Sequence, residues 1–273
     1  MRSKNRIEEN LGIVRIYGLK PYNIILIHGG PGAPGEMKPV ALELSSSFGV
    51  LEPFQSKKSI WEQVDELKIQ IEKYADQPVI LVGWSWGSWL SYLFAGKYPK
   101  FLKKLIIIAS GPFEEKYVPV MKEVRLSRLS NLERKRIKEL ENLFKQPNLS
   151  KSDVLFNEYG SLFSKGDTYA NNQENFKSKS IKPQYEIYNN VWPEAVKLRQ
   201  TGELLALGKK IECPVVAIQG DYDSHIDKGI KISLKKVIKK FKFILLERCG
   251  HYPWFEKYAK DKFYEILKNE LVN

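Results

Sequence analysis

Gly83-Trp84-Ser85-Trp86-Gly87 places a serine between two glycines, directly after the apolar run Val79-Ile80-Leu81-Val82 and directly before a helix-like stretch from Ser88 to Tyr98. A chain that passes from strand to helix within five residues must pinch its backbone, and only glycine tolerates that crowding on both sides. The serine hydroxyl then stands above the end of the strand, with the first N–H groups of the helix aimed at it. Ser85 is thus predicted to be a nucleophile on a strand-to-helix elbow, the alternative being an ordinary helix cap between two flexible glycines.

A second short apolar run, Tyr22-Asn23-Ile24-Ile25-Leu26-Ile27, opens into His28-Gly29-Gly30-Pro31-Gly32. A glycine-rich loop at a strand end can turn backbone N–H groups toward a neighbouring strand end, as stabilising a tetrahedral oxyanion requires. The expected donors are the N–H of Gly30 and that of Trp86, the residue after the serine.

A serine hydroxyl needs a base to take its proton, and an imidazole titrating near neutrality suits the task. The chain has three histidines. His28 belongs to the glycine loop, and His225 lies in the turn-like Gly220-Asp221-Tyr222-Asp223-Ser224-His225. His251 follows the strand-like Phe243-Ile244-Leu245-Leu246 through a short loop and precedes a terminal helix expected near Pro253. That location, beyond the carboxyl end of a strand, lets its ring reach the sheet edge that carries Ser85. An imidazole in this role needs a carboxylate to fix its tautomer. Asp223, closing the turn after Val215-Val216-Ala217-Ile218-Gln219, is the leading candidate, while Asp221 and Asp227 are near enough to compete.

The resulting order, serine then acid then histidine, is that of the α/β-hydrolases. The chain resembles that family over nearly its whole length. His28-Gly29-Gly30-Pro31-Gly32 together with Ser85-Trp86-Gly87-Ser88 looks most like the proline-iminopeptidase branch. The resemblance implies an α/β-hydrolase fold, a Ser85-Asp223-His251 triad, a preformed oxyanion hole, a helical cap and no cofactor. The branch usually has glycine where Trp84 stands, and an Asp, Arg and Gly-rich loop where this chain reads Glu52-Pro53-Phe54-Gln55-Ser56-Lys57-Lys58.

Strand-like runs recur near 13–17, 23–27, 48–51, 79–82, 105–109, 215–219 and 243–246, separated by helical patterns. Continuous apolar strands alternating with amphipathic helices predict an α/β architecture with a mostly parallel sheet covered on both faces. Ser59-Ile60-Trp61-Glu62 reads as a capping box, followed by the apolar stripe Ile60, Val64, Leu67 and Ile71. After the elbow, Leu90, Leu93 and Phe94 are expected to face the sheet. Between Gly111-Pro112 and Cys213-Pro214 the strand signal disappears. Residues 112–212 are therefore predicted to be a helical cap inserted into a core of residues 1–111 and 213–273. Its expected features are a capping box at Ser130-Asn131-Leu132-Glu133, a helix from Ser152 to Phe163, Pro183 and Pro193 in first helical turns, and a mobile connection from Gly166 to Lys182. Trp192, Tyr185, Tyr188 and Tyr159 are candidates to line a pocket beneath it, although aromatics at helical spacing more often pack a core. Glu158, Glu186 and Glu194 are candidates to hold a substrate amine, as cap carboxylates do in iminopeptidases.

A formal charge of +12 invites a nucleic-acid or membrane-surface reading. The basic residues are nevertheless scattered, as in Arg134-Lys135-Arg136 beside Glu133, Glu139 and Glu141, and form no recognisable nucleic-acid motif. Cys213 and Cys249 lack metal-ligand spacing and make no disulfide framework. No apolar run approaches the roughly 18 residues of a membrane span, and the basic start is followed by Glu8-Glu9 instead of an apolar signal segment. The expectation is a cytoplasmic serine hydrolase with a small-molecule ester or amide substrate, without cofactor, metal, nucleic acid or membrane. A homo-oligomer is compatible with the sequence but not indicated by it. The rival readings are an aminopeptidase acting on N-terminal proline and a ligand-binding homologue without turnover.

Overall fold

The computed structural model describes residues 7–8, 13–145, 153–170 and 184–273. Among these residues eight strands form one sheet: β1 (Ile7–Glu8), β2 (Val14–Tyr17), β3 (Tyr22–Ile27), β4 (Gly49–Pro53), β5 (Val79–Trp84), β6 (Leu102–Ile108), β7 (Val215–Gly220) and β8 (Phe241–Leu246). Their spatial order is β1-β2-β4-β3-β5-β6-β7-β8. All seven predicted strands are present, and β1 joins them as an edge strand that sequence reading missed, two residues being too short to show a period. Pairing is parallel from β4 through β8, while β1, β2 and β4 pair antiparallel.

Side chains of a strand alternate between faces, so one apolar run feeds two cores. Ile25 and Ile27 of β3, Leu81 of β5 and Leu105 and Ile107 of β6 belong to one cluster, with α2 (Ile60–Tyr74), α3 (Trp86–Lys97) and α9 (Asp227–Lys235). Ile24, Leu26, Ile80, Val82, Ile106 and Ile108 belong to the other, with α1 (Lys38–Leu44) and α10 (Lys260–Val272). Each of these strands is buried on both faces because helices cover both, as uninterrupted apolar runs require.

The α2 stripe Ile60, Val64, Leu67 and Ile71 is buried as expected. Its predicted capping box is not formed. The Ser59 hydroxyl donates to the Glu62 carboxylate, and the orphan N–H of Ile60 is taken by Glu194, which reaches across at 2.8 Å from a helix far along the chain. The helix α3 is buried on every side from Trp86 to Gly96, not along one stripe, because it lies between the sheet, α2 and the inserted helices.

The inserted segment carries α4 (Val118–Ser127), α5 (Asn131–Phe144), α6 (Asp153–Gly166), α7 (Tyr185–Gln200) and α8 (Glu203–Ala206). The Ser130-Glu133 capping box starts α5 with both reciprocal hydrogen bonds in place. Pro193 lies inside α7 instead of in its first turn. It removes one backbone donor there, a loss the surrounding packing of Val191 and Ala195 accommodates. Pro183 and residues 171–182 fall outside the described residues. Of the connection expected to be mobile from Gly166 to Lys182, only residues 166–170 are described, and there Tyr169 and Ala170 donate their N–H groups to Glu256, and Lys257 donates its own to the Ala170 carbonyl. The terminal helix begins at Lys260, Pro253–Phe255 forming only a short 3-10 turn.

Cys213 and Cys249 are both buried free thiols. Among the described residues no helix is long and apolar enough to cross a membrane.

Candidate active site

The elbow is shaped by close backbone approach. A Cβ on Gly83 would lie 2.2 Å from the Gly87 carbonyl oxygen, and one on Gly87 would lie 2.3 Å from that of Ile27. The first side chain would force β5 from the start of α3 and the second would force α3 from the end of β3, so both positions require glycine. Ser85 itself has φ 54° and ψ −116°. A non-glycine residue in that region costs about 1–3 kcal/mol and persists only where its surroundings hold it. Here its N–H donates to the Ile108 carbonyl, and Ser88, one turn on, donates its hydroxyl to the Gly83 carbonyl. The Ser85 side chain remains partly exposed at the end of β5.

The loops after β7 and β8 end at the same sheet edge. His251 Nε2 lies 3.0 Å from Ser85 Oγ, and His251 Nδ1 lies 2.7 Å from Asp223 Oδ2. A carboxylate only accepts, so Nδ1 carries the proton in neutral His251 and Nε2 is left to accept the serine hydroxyl. Asp223 is 2% exposed and His251 5%. Burial opposes ionisation of Asp223, yet the two imidazoles beside it, His251 and His225, hold it well below the usual carboxylate range. Burial likewise disfavours charge on His251, but the Asp223 carboxylate overrides it and raises the imidazole above its ordinary value. The competing acids are committed elsewhere: Asp221 accepts the N–H of Cys249, and Asp227 opens α9.

The glycine loop closes the remaining side. Gly30 has φ 48°, and its carbonyl accepts the N–H of Ala33 in a tight turn. Among the described residues, neither the Gly30 N–H nor that of Trp86, the first residue of α3, donates to a protein acceptor. His28 is fully buried, its Nδ1 donating to the Gly29 carbonyl, and burial pushes it down to about 4. It is a neutral structural group.

Four supporting residues escaped sequence reading. Trp84 donates its indole N–H to the His251 carbonyl at 2.8 Å and packs beside His251, Tyr252 and Trp254, so the large ring at this elbow position underpins the histidine loop. Gln219 donates to Asp223 Oδ2 and to the His225 carbonyl, bracing the acid turn. Asp167, at the end of α6, accepts the His251 N–H on its backbone carbonyl at 2.8 Å. Glu256, buried, accepts from the N–H groups of Gly250, Tyr169 and Ala170, tying the histidine loop to the inserted segment. Removing it strands one buried and two partly buried donors, so Glu256→Ala is expected to lower stability by about 2 kcal/mol in urea unfolding, and Glu256→Gln by less. Trp84, Asp167 and Glu256 meet partners far away in sequence, and Gln219 meets Asp223 and His225 within its own turn as a lone polar residue, so no local pattern marks any of them.

The candidate amine-binding carboxylates are all engaged away from the site. Glu158 pairs with Arg136, Glu186 with Lys58, and Glu194 caps α2. Of the candidate aromatics, Trp192 stacks on Trp89 of α3 at 5.9 Å and Tyr188 stacks on Trp192 at 6.0 Å. Tyr185 and Tyr159 pack on Phe144 inside the insertion.

Asp223, His225 and His251 offer ligand atoms within 4.8 Å of one another, a spacing that could suit a metal. The arrangement serves protons better. Both imidazole Nδ1 atoms already face an oxygen of the one carboxylate, and the Arg125 guanidinium, 3.1 Å from His225 Nε2, sets a fixed positive charge beside any cation.

Known proteins agree with this architecture. A proline iminopeptidase of Saccharolobus solfataricus is 25% identical, with 94% of this chain and 90% of the relative covered. An alpha/beta fold family hydrolase from Bacillus anthracis superposes with a TM-score of 0.70 at 16% identity, covering 98% of this chain and 99% of the other. An enol-lactonase from Burkholderia xenovorans does so with a TM-score of 0.61 at 15% identity, covering 95% and 96%. At such identities the structural likenesses speak for the fold alone. The strand order, the serine elbow after β5 and the insertion between β6 and β7 coincide with a match of the alpha/beta hydrolase fold family over residues 22–258, and the chain belongs to that family.

Proposed function

We propose that the protein is a serine hydrolase cleaving a carboxylic ester or amide of a small molecule through Ser85, His251 and Asp223. The observation that carries this reading is the continuous hydrogen-bond chain from Ser85 Oγ through His251 to Asp223, at 3.0 and 2.7 Å. Ser85 Oγ attacks the carbonyl carbon while its proton passes to His251 Nε2. The oxyanion is received by the N–H groups of Gly30 and Trp86, which have no other protein acceptor among the described residues. As the tetrahedral intermediate collapses, His251 returns the proton to the departing alcohol or amine. Water, deprotonated by the same imidazole, then releases the acid and restores Ser85.

In this reading residues 112–212 act as a cap on a core of residues 1–111 and 213–273. Its support is contact with both loops of the sheet edge. Gln184 donates its N–H to the Gly32 carbonyl, and a Cβ on Gly32 would lie 2.3 Å from the Gln184 carbonyl oxygen. On the other side Ser164 and Tyr252 hydroxyls are 2.7 Å apart. Segments seated on both loops exclude water from the reacting atoms. Trp192 and Tyr188, stacked toward Trp89 of α3, are its candidate apolar wall.

The iminopeptidase relative favours a second reading, an aminopeptidase that holds a substrate amine. Against it stand Glu158, Glu186 and Glu194, each committed to another partner. A panel of short-acyl 4-nitrophenyl esters, simple acyl anilides and proline 4-nitroanilide, run on wild type and Ser85→Ala in parallel, separates the two. Ser85-dependent turnover of esters or acyl anilides with negligible proline release is expected. Preferential release of proline would replace the first reading with the second, and active-site labelling without turnover of any substrate would point to a ligand-binding homologue.

A further inference from the structure

Asp223 serves two imidazoles. His225 Nδ1 lies 2.8 Å from Asp223 Oδ1, while His251 Nδ1 takes Oδ2, and the two rings stack at 4.6 Å with 28° between their planes. The backbone N–H of His225 donates to Oδ1 as well. On its far side, His225 Nε2 is 3.1 Å from Arg125 Nη2. An arginine can only donate, so Nε2 must present a lone pair and the single ring proton must sit on Nδ1. Arg125 thereby dictates the tautomer that donates to Asp223.

Arg125 is itself fixed. Its Nε and Nη2 contact the two carboxylate oxygens of Asp167 at 3.0 and 2.8 Å, with both residues buried. One turn later, at the C-terminal cap of α4, Arg128 donates to the carbonyls of Tyr222 and Gly166 and lies over the Tyr222 ring. The inserted helix α4 thus grips the acid turn on both flanks of Asp223, at Tyr222 and at His225.

Resting on the triad reading above, we propose that His225, held in one tautomer by Arg125, is a positioning residue that fixes the Asp223 carboxylate and takes up part of its charge, so that seating of α4 sets the proton affinity of His251. The physical basis is competition for one carboxylate: each N–H that Asp223 accepts from His225 weakens its pull on the His251 proton. His225 is suited to remain neutral while it does so. Burial, the neighbouring His251 and, to a smaller extent, the positive Arg125 hold it below the ordinary imidazole range in spite of Asp223. The charged and titratable groups around the two rings are Asp223 on the turn of His225, Tyr252 beside His251, Arg125 from α4, Asp167 just after α6 and Glu36 from the loop before α1.

The sign follows for activity. His251 must be neutral to accept the Ser85 proton, so kcat/KM on a 4-nitrophenyl ester rises with pH through the His251 titration. Losing the His225 donor strengthens the hold of Asp223 on imidazolium, so in His225→Ala this acid limb is expected to move up by about 0.5–1 pH unit, with a roughly three- to tenfold loss at pH 6. His225→Asn, which offers an amide N–H near the former Nδ1, is expected to bring the limb back toward wild type. A limb unmoved or shifted downward in His225→Ala overturns the proposal, since a merely structural role lowers activity without moving it. Nitrogen NMR of the wild-type protein, whose three histidines give few signals, supplies a readout that needs no variant. A neutral His225 with its proton on Nδ1 at pH 6 is expected, and an imidazolium or the Nε2–H tautomer there refutes the proposal even if His225→Ala does not fold. Failure of the triad reading would look different: no fluorophosphonate labelling of wild-type Ser85, whatever state His225 shows.

Discussion

Ser85→Ala is expected to lower kcat/KM on every accepted substrate by about 10⁴- to 10⁶-fold, and to abolish labelling by a fluorophosphonate, while leaving the fold intact. The loss is large because the elbow concentrates its geometry on one atom. In the proposed chemistry Ser85 Oγ is both the attacking group and the donor to His251 Nε2 at 3.0 Å, and no other hydroxyl is found in a hydrogen bond to that nitrogen among the described residues. Residual rate above that of the uncatalysed reaction is to be attributed to the Gly30 and Trp86 N–H groups, which do not depend on the serine side chain. Stability is expected to change little or to rise, since alanine removes a polar group at a partly exposed position. Unchanged turnover in Ser85→Ala would remove the proposed chemistry altogether.

Asp223→Asn is expected to cost about 10⁴-fold in kcat near neutral pH, with urea stability reduced as well. The aspartate is surrounded by donors only: His251 Nδ1, His225 Nδ1 and backbone N–H, and Gln219 Nε2. An asparagine amide places an N–H₂ group where one carboxylate oxygen accepted, so at least one of these donors loses its acceptor. If that donor is His251, the ring proton moves to Nε2 and the imidazole can no longer receive the hydroxyl proton of Ser85. If it is His225, the amide oxygen can still orient His251 but without the negative charge that stabilises imidazolium. Both outcomes are slow, and they are told apart by pH: the first recovers as hydroxide replaces the base, whereas the second shifts the acid limb downward. An activity within tenfold of wild type would assign the acid role to another carboxylate.

The strands were legible because burial on both faces writes itself into contiguous apolar residues, as in Ile24-Ile25-Leu26-Ile27 and Leu105-Ile106-Ile107-Ile108. The elbow was legible for a comparable reason. Gly83 is demanded by backbone approach to Gly87 within the motif itself, and Gly87 by the approach of Ile27 at the end of the neighbouring β3, so steric need and sequence motif coincide. Capping was less readable. Ser59 and Glu62 fit the local pattern, yet the α2 terminus is satisfied by Glu194, 134 residues away from Ile60. Pro193, read as a helix start, lies within α7 because tertiary packing outweighed a local preference.

From residue order alone followed the alternation of strand and helix, the serine on its turn, and the histidine and aspartate beyond later strands. Each is a statement about neighbours along the chain, where hydrophobic period and glycine sterics act. Folding decided which polar groups meet once the sheet has brought its carboxyl ends together. Trp84 under His251, Glu256 between two loops, and Arg125 on His225 join residues 167, 86 or 87, and 100 positions apart. Hydrogen bonds act over about 3 Å in space and carry no memory of sequence separation, so the three-dimensional path of the chain, and nothing local, selects these partners.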